Sequence, residues 1–115
     1  MSDTLLPRHL CSAVEDALGS ARVVNVIGPR QVGKTTLVRD LLDAGLFVTL
    51  DDTGVLAAME ADPYGQLMAL RAKAGDAAPV IVDEAQRSHA LALAVKRIVD
   101  ERRQMGQFLL TGSSN

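Results

Sequence analysis

The 115-residue chain predicts an α/β fold, with a parallel sheet carrying helices on both faces. Three observations lead there. Segments of helical periodicity alternate with short apolar segments. Those apolar segments are continuous runs, as strands buried on both faces require. Glycines at positions 19, 45, 75 and 106 follow the helical segments, where left-handed backbone ends a helix.

The elements follow in order. Pro7 opens a helix over residues 8–18, and Gly19 closes it. Val23, Val24, Asn25, Val26 and Ile27 have the β-branched composition of a buried first strand. A loop over 28–33 leads into a helix over 34–44, with Leu37, Val38, Leu41 and Leu42 on one face. Residues 46–50 read as the second strand. Thr53 is expected to cap a helix ending near Ala61. Asp62 and Pro63 supply an N-cap and a proline first turn for a helix reaching about Ala74. Residues 79–82 form the third strand. Ser88 caps the last helix, whose apolar positions 91, 94, 95, 98 and 99 follow the helical repeat, and Gly106 ends it. Residues 108–110 form the fourth strand. Crossovers between parallel strands are right-handed.

Composition narrows the function classes. Hydrophobic residues make up 48% and charged residues 23%, which excludes a disordered chain. A net charge of −2 argues against direct nucleic-acid binding by this segment. The cluster Lys96, Arg97, Arg102 and Arg103 is interrupted by Asp100 and Glu101 and reads as a solvated helix face. Cys11 stands alone, so no disulfide forms within the chain. No apolar run approaches the ~20 residues of a membrane span, and no signal-peptide pattern opens the chain. A cytoplasmic protein is expected.

The chemistry begins after the first strand. Gly28, Pro29, Arg30, Gln31, Val32, Gly33, Lys34 and Thr35 fit G-x-x-x-x-G-K-[ST], the Walker A phosphate loop, without a gap. Such a loop wraps a phosphate with inward N–H groups. Gly28 and Gly33 permit the backbone angles and the close approach. The following helix adds its N-terminal partial charge. Lys34 brings a point charge to the β- and γ-phosphates, and the Thr35 hydroxyl is a hard oxygen ligand for Mg²⁺.

The third strand ends in Asp83 and Glu84. In parallel sheets, ligands sit at the carboxyl ends of the strands, so this pair and the phosphate loop belong on one edge. Asp83 is expected to hold Mg²⁺, directly or through water. Glu84 is expected to orient or deprotonate a water aimed at the γ-phosphate. A GTPase would show D-x-x-G here and N-K-x-D later, and the chain has neither.

The wording resembles one family. Gly28 through Thr35 with Thr36, Leu50-Asp51-Asp52, Val82-Asp83-Glu84-Ala85-Gln86-Arg87 and Leu110-Thr111-Gly112-Ser113-Ser114-Asn115 look like prokaryotic AAA-type P-loop ATPases that carry a C-terminal domain of unknown function. The resemblance spans nearly the whole chain. It implies a three-layer P-loop NTPase core with strand order 1-4-3-2. It also implies ATP and Mg²⁺ as ligands, a nucleotide cradle from Gly28 to Thr36, and Ser113 as the γ-phosphate sensor, with Ser114 and Asn115 as alternatives. Arg8 stands in a Leu-Pro-Arg segment that such proteins often have, near the adenine or on the surface. Arg30 and Arg87 flank the site, in contact with phosphate, subunit or solvent. Asp51 and Asp52 either approach the Mg²⁺ side or cap the next helix. His9 and His89 receive no role.

The same family implies a fifth strand beside strand one, a helical lid and an arginine finger, and the chain as written ends before them. Residues 1–115 are therefore expected to be a single partial, truncated ATP-binding domain. Its first strand is expected to form an exposed edge, and its partners to be a missing C-terminal domain or further copies of itself. Three functional readings stand. One is an ATPase driving a conformational change, the second a nucleotide-binding fragment without turnover, and the third a P-loop small-molecule kinase, which Glu84 disfavours.

Overall fold

The computed structural model of the chain describes residues 13, 16–28, 46–75 and 78–113. The nucleotide cradle expected beyond Gly28, the helix expected over 34–44, most of the helix expected over 8–18, and Ser114 and Asn115 lie outside the described residues.

Four strands form one sheet: β1 (Val23–Gly28), β2 (Leu46–Thr49), β3 (Val80–Asp83) and β4 (Phe108–Ser113). All pairings are parallel, in the order β1-β4-β3-β2. This is the P-loop NTPase-like arrangement that the family resemblance implied. Among the described strands β1 lies at one edge and β2 at the other.

Among the described residues three helices, α1 (Thr53–Ala61), α2 (Pro63–Ala74) and α3 (His89–Arg102), share one core with the sheet. Strand side chains alternate between faces. Val80, Val82, Phe108 and Leu110 meet Met59 of α1, Leu67 of α2 and the stripe Leu91, Ala94, Val95, Ile98 and Val99 of α3. Ile81, Leu109 and Val24 form a second cluster on the opposite face, against Ala17, Leu18, Ala21 and Phe47. Each fully buried Leu, Ile, Val or Phe contributes about 1.5–3 kcal/mol, so the central strands anchor the fold.

The helix starts follow local chemistry, with one correction. Asp52, not Thr53, caps α1. Its backbone is extended (φ −76, ψ 117) and its carboxylate accepts from the N–H groups of Gly54 at 2.9 Å and Val55 at 3.2 Å. Thr53 is already the first helical residue, and a cap must sit one position outside. Asp62 caps α2 by accepting from Gly65 N–H at 3.0 Å, with Pro63 in the first turn. Ser88 caps α3 by accepting from Leu91 N–H at 3.1 Å.

The helix ends and strand ends differ more. α3 stops at Arg102, and Arg103 rather than Gly106 takes the left-handed cap (φ 53). Gly106 (φ 66) turns the chain into β4, where an added Cβ would meet the Leu18 carbonyl oxygen at 3.0 Å. β4 runs three residues past Leu110 because β1 pairs with it throughout, up to Gly28 opposite Ser113. β3 includes Asp83, the ladder partner of Thr49.

Candidate functional site

Because every strand runs the same way, Gly28, Thr49, Asp83 and Ser113 end on one edge of the sheet. Gly28, where the phosphate-loop motif begins, is the last residue of β1 and pairs with Ser113. The motif therefore starts two strands away from Asp83, across β4.

Asp83 is the centre of this edge. Its side chain is buried, at 3% exposure. Thr49 Oγ1 of β2 donates to Asp83 Oδ2 at 2.8 Å, and Thr111 Oγ1 of β4 donates to Asp83 Oδ1 at 2.7 Å. The strands on either side of β3 thus each contribute one hydroxyl. All three side chains occupy the face that also carries Ile81 and Leu109, two residues back along their strands. Hydroxyl donors favour the ionised carboxylate and fix its plane, offsetting part of the cost of burying a charge.

Glu84 follows with a left-handed backbone (φ 55, ψ 42) and 3% exposure. That conformation costs an L-residue roughly 1–2 kcal/mol, and such strain gathers at functional sites. It bends the chain out of β3 into a 3₁₀ turn, Ala85–Arg87. Gln86 Nε2 donates to Glu84 Oε1 at 2.6 Å. Arg87 Nη2 lies 2.9 Å from Asp51 Oδ1 in a half-exposed ion pair.

Asp51, Asp83 and Glu84 offer one carboxylate oxygen each, all within 4.8 Å of one another. The two adjacent acids after β2 divide their work. Asp52 caps α1, while Asp51 joins the cluster, its own N–H held by Thr49 Oγ1 at 3.2 Å. Three carboxylates this close repel one another, and the Arg87 guanidinium offsets part of that charge at Asp51. Hard oxygen donors in this arrangement suit Mg²⁺, which is bound through one or two carboxylates, water and phosphate oxygens.

Of the residues predicted from sequence, Asp83 and Glu84 are brought together with Asp51. Pro29, Arg30, Gln31, Val32, Gly33, Lys34, Thr35 and Thr36 lie outside the described residues. Ser113 is the last residue of β4. His89 is the exposed first residue of α3. Sequence reasoning missed Thr49 and gave Thr111, quoted within the family wording, no role. Their signal was a threonine directly after three apolar residues in each strand that flanks the acid strand, in step with the period-two pattern of Asp83. Gln86 was quoted in the motif without a role.

A parallel 1-4-3-2 sheet with a phosphate-loop motif after its first strand and acids after its third defines a P-loop nucleotide-binding module. The family follows from comparison. A family model described as an AAA domain matches residues 20–115, and the chain belongs to that family of AAA-type P-loop ATPases. It is 35% identical over 109 residues to an uncharacterized protein of Mycobacterium tuberculosis and, equally, to one of Mycobacterium bovis. The alignment covers 94% of this chain and 23% of each relative, so the chain spans about a quarter of their length. No solved structure matches the chain. Among the described residues, no helix is long and apolar enough to cross a membrane.

Proposed function

We propose that this nucleotide-binding module takes ATP with Mg²⁺ and hydrolyses it, and that residues 1–115 act as one partial domain of a larger cytoplasmic ATPase. The observation that carries the reading is Asp83, buried and held by two threonine hydroxyls at the sheet edge where the phosphate-loop motif begins.

Each residue has a task in this reading. The cradle from Gly28 to Thr36 binds the triphosphate through backbone N–H groups, and Lys34 neutralises the β- and γ-phosphate charge. Thr35 and Asp83 would hold Mg²⁺, and Asp51, within 4.8 Å of Asp83 and Glu84, would add a third carboxylate beside them. When bound, the ion would screen the phosphate charge and orient the β- and γ-oxygens. Glu84 accepts a proton from the attacking water, and Ser113 contacts the γ-phosphate. The hydrolytic step breaks the γ-phosphorus–oxygen bond and leaves ADP, phosphate and one proton. Partners in this reading are a C-terminal domain of the full-length protein or further copies of the chain, which would supply an arginine worth about 10³–10⁵ in rate.

Calorimetry with Mg·ATP and a phosphate-release assay on the same samples test the reading. Lys34→Ala is expected to abolish binding. Glu84→Gln is expected to keep binding and lose release. Binding without release in the native chain would leave a nucleotide-binding piece without turnover. No binding by the folded chain would sink the proposal for this segment.

A further inference from the structure

The short turn after β3 holds a contact that the proposed function does not use. In ordinary helical backbone, side chains two residues apart diverge. Here Gln86 and Glu84 meet at 2.6 Å, and the left-handed backbone at Glu84 lets them do so. The turn is fastened on both sides. Arg87 N–H bonds the Glu84 carbonyl at 3.1 Å, and Ser88 N–H bonds the Ala85 carbonyl at 3.2 Å. Ser88 also caps α3 and donates to Glu60 of α1. A fixed platform therefore carries an exposed amide whose tip reaches a buried carboxylate.

The adjoining space gives the amide a second boundary. A cavity of about 140 Å³ opens between β1, β4 and the start of α3, and Gln86 lines it together with Asn25, Leu91 and Thr111. Gln86 thus bonds the base carboxylate and shares a cavity wall with the threonine that donates to Asp83. An amide nitrogen donating to one carboxylate oxygen restricts rotation about the last side-chain bond, which decides where the other oxygen points.

We infer that Gln86 is a positioning residue for hydrolysis: its amide fixes the rotamer of the Glu84 carboxylate beside Asp83 and Asp51. The inference rests on the proposed hydrolytic role of Glu84. Gln86 itself touches neither nucleotide nor metal in this scheme. It acts through Glu84 alone, so removing it costs turnover and spares binding.

The test combines kinetics with a direct view of the amide. Gln86→Leu removes the donor at an exposed position, and Gln86→Glu replaces it with a like charge of the same shape. Both variants are expected to bind Mg·ATP within about twofold of the native chain and to lose about tenfold or more in kcat, as misplacement of a reacting group does. Gln86→Leu added to Glu84→Gln is expected to cost nothing further, which a merely structural role would not produce. Nitrogen–proton spectra of the native chain should show a Gln86 side-chain amide proton displaced by its carboxylate partner, returning to the ordinary range in Glu84→Ala. Native-like kcat in Gln86→Leu, or an amide resonance indifferent to Glu84→Ala, would overturn the positioning role alone. A native chain that binds Mg·ATP yet releases no phosphate would overturn the hydrolytic reading and this role with it.

Discussion

Thr111 of β4 donates its hydroxyl to Asp83 of β3 across 2.7 Å, and the pair is almost wholly buried, at 1% and 3% exposure. The bond joins the two central strands of the sheet at the edge where the phosphate-loop motif begins. It ties the stability of the sheet to the orientation of a candidate ligand group.

Thr111→Val keeps the shape and deletes the donor. A buried acceptor that loses its partner costs about 1–3 kcal/mol, so the calorimetric melting midpoint is expected to fall by several degrees. Loss of a group that orients a metal ligand typically costs 10–100-fold in metal affinity, so Mg²⁺-dependent ATP affinity should fall by at least about tenfold. A variant that melts lower and binds Mg·ATP like the native chain would show that the threonine serves the sheet alone.

Arg71 supports the opposite edge of the sheet. Arg71 is 4% exposed, and its guanidinium donates to the carbonyl oxygens of Gln107, Gly75 and Ala78, beside the Phe108 ring. Hydrogen bonds to charged groups contribute about 1.5–3 kcal/mol each, and the Gln107 and Ala78 carbonyls would be left buried without this donor. Arg71→Met is expected to destabilise by about 3 kcal/mol or more in urea unfolding, a large share of a small domain's 5–15 kcal/mol. The exposed neighbour Lys73→Ala should change stability by less than about 0.5 kcal/mol.

Arg103 carries a left-handed backbone (φ 53) at the end of α3, on the surface. Glycine adopts that conformation without the Cβ clash, so Arg103→Gly is expected to stabilise the chain by about 0.5–1 kcal/mol. The favourable interaction of the arginine with the helix end is the smaller term in physiological salt. A lower melting midpoint for the variant would show that the charge outweighs the strain.

Tyr64 is the chain's single tyrosine, and tryptophan is absent, so its ionisation can be followed cleanly by ultraviolet absorbance. Its hydroxyl donates to Glu101 at 2.7 Å, and the Arg97 guanidinium sits 3.9 Å from the ring centroid. The bond to Glu101 is the main cause that raises the Tyr64 pKa above 10.0; partial desolvation and the glutamate charge add to it, and Arg97 opposes them. The neutral phenol is the favoured form. The contact therefore stabilises the fold below pH 10 and is lost as pH rises through the raised folded value. Glu101→Gln is expected to bring the titration midpoint back toward that of the unfolded chain. An unchanged midpoint would sink the assignment.

Much of this arrangement was legible in the chain because its signals are local. The apolar runs 23–27, 46–50, 79–82 and 108–110 locate the strands, and Asp62-Pro63 and Ser88 locate two helix starts, since caps and propensities act within a few residues. The family wording supplied the strand order, which no local signal carries. Where local signals compete, the reading slipped. Asp52 and Thr53 are adjacent capping residues, and backbone angles choose between them. Arg103 takes a left-handed cap that Gly106 would take more cheaply, because Gly106 is needed against the Leu18 carbonyl at the entry to β4.

By itself, the sequence determined which chemistry is present: a phosphate-loop motif after one strand and two carboxylates after another. Only the tertiary structure decided which groups surround those carboxylates. Thr49 and Thr111 lie 34 and 28 residues from Asp83 along the chain, and Asp51 meets it only because β2 and β3 pair in one register. A residue-type signal is set by covalent order, whereas a hydrogen bond between neighbouring strands depends on register and pleat, which exist only once the sheet has closed.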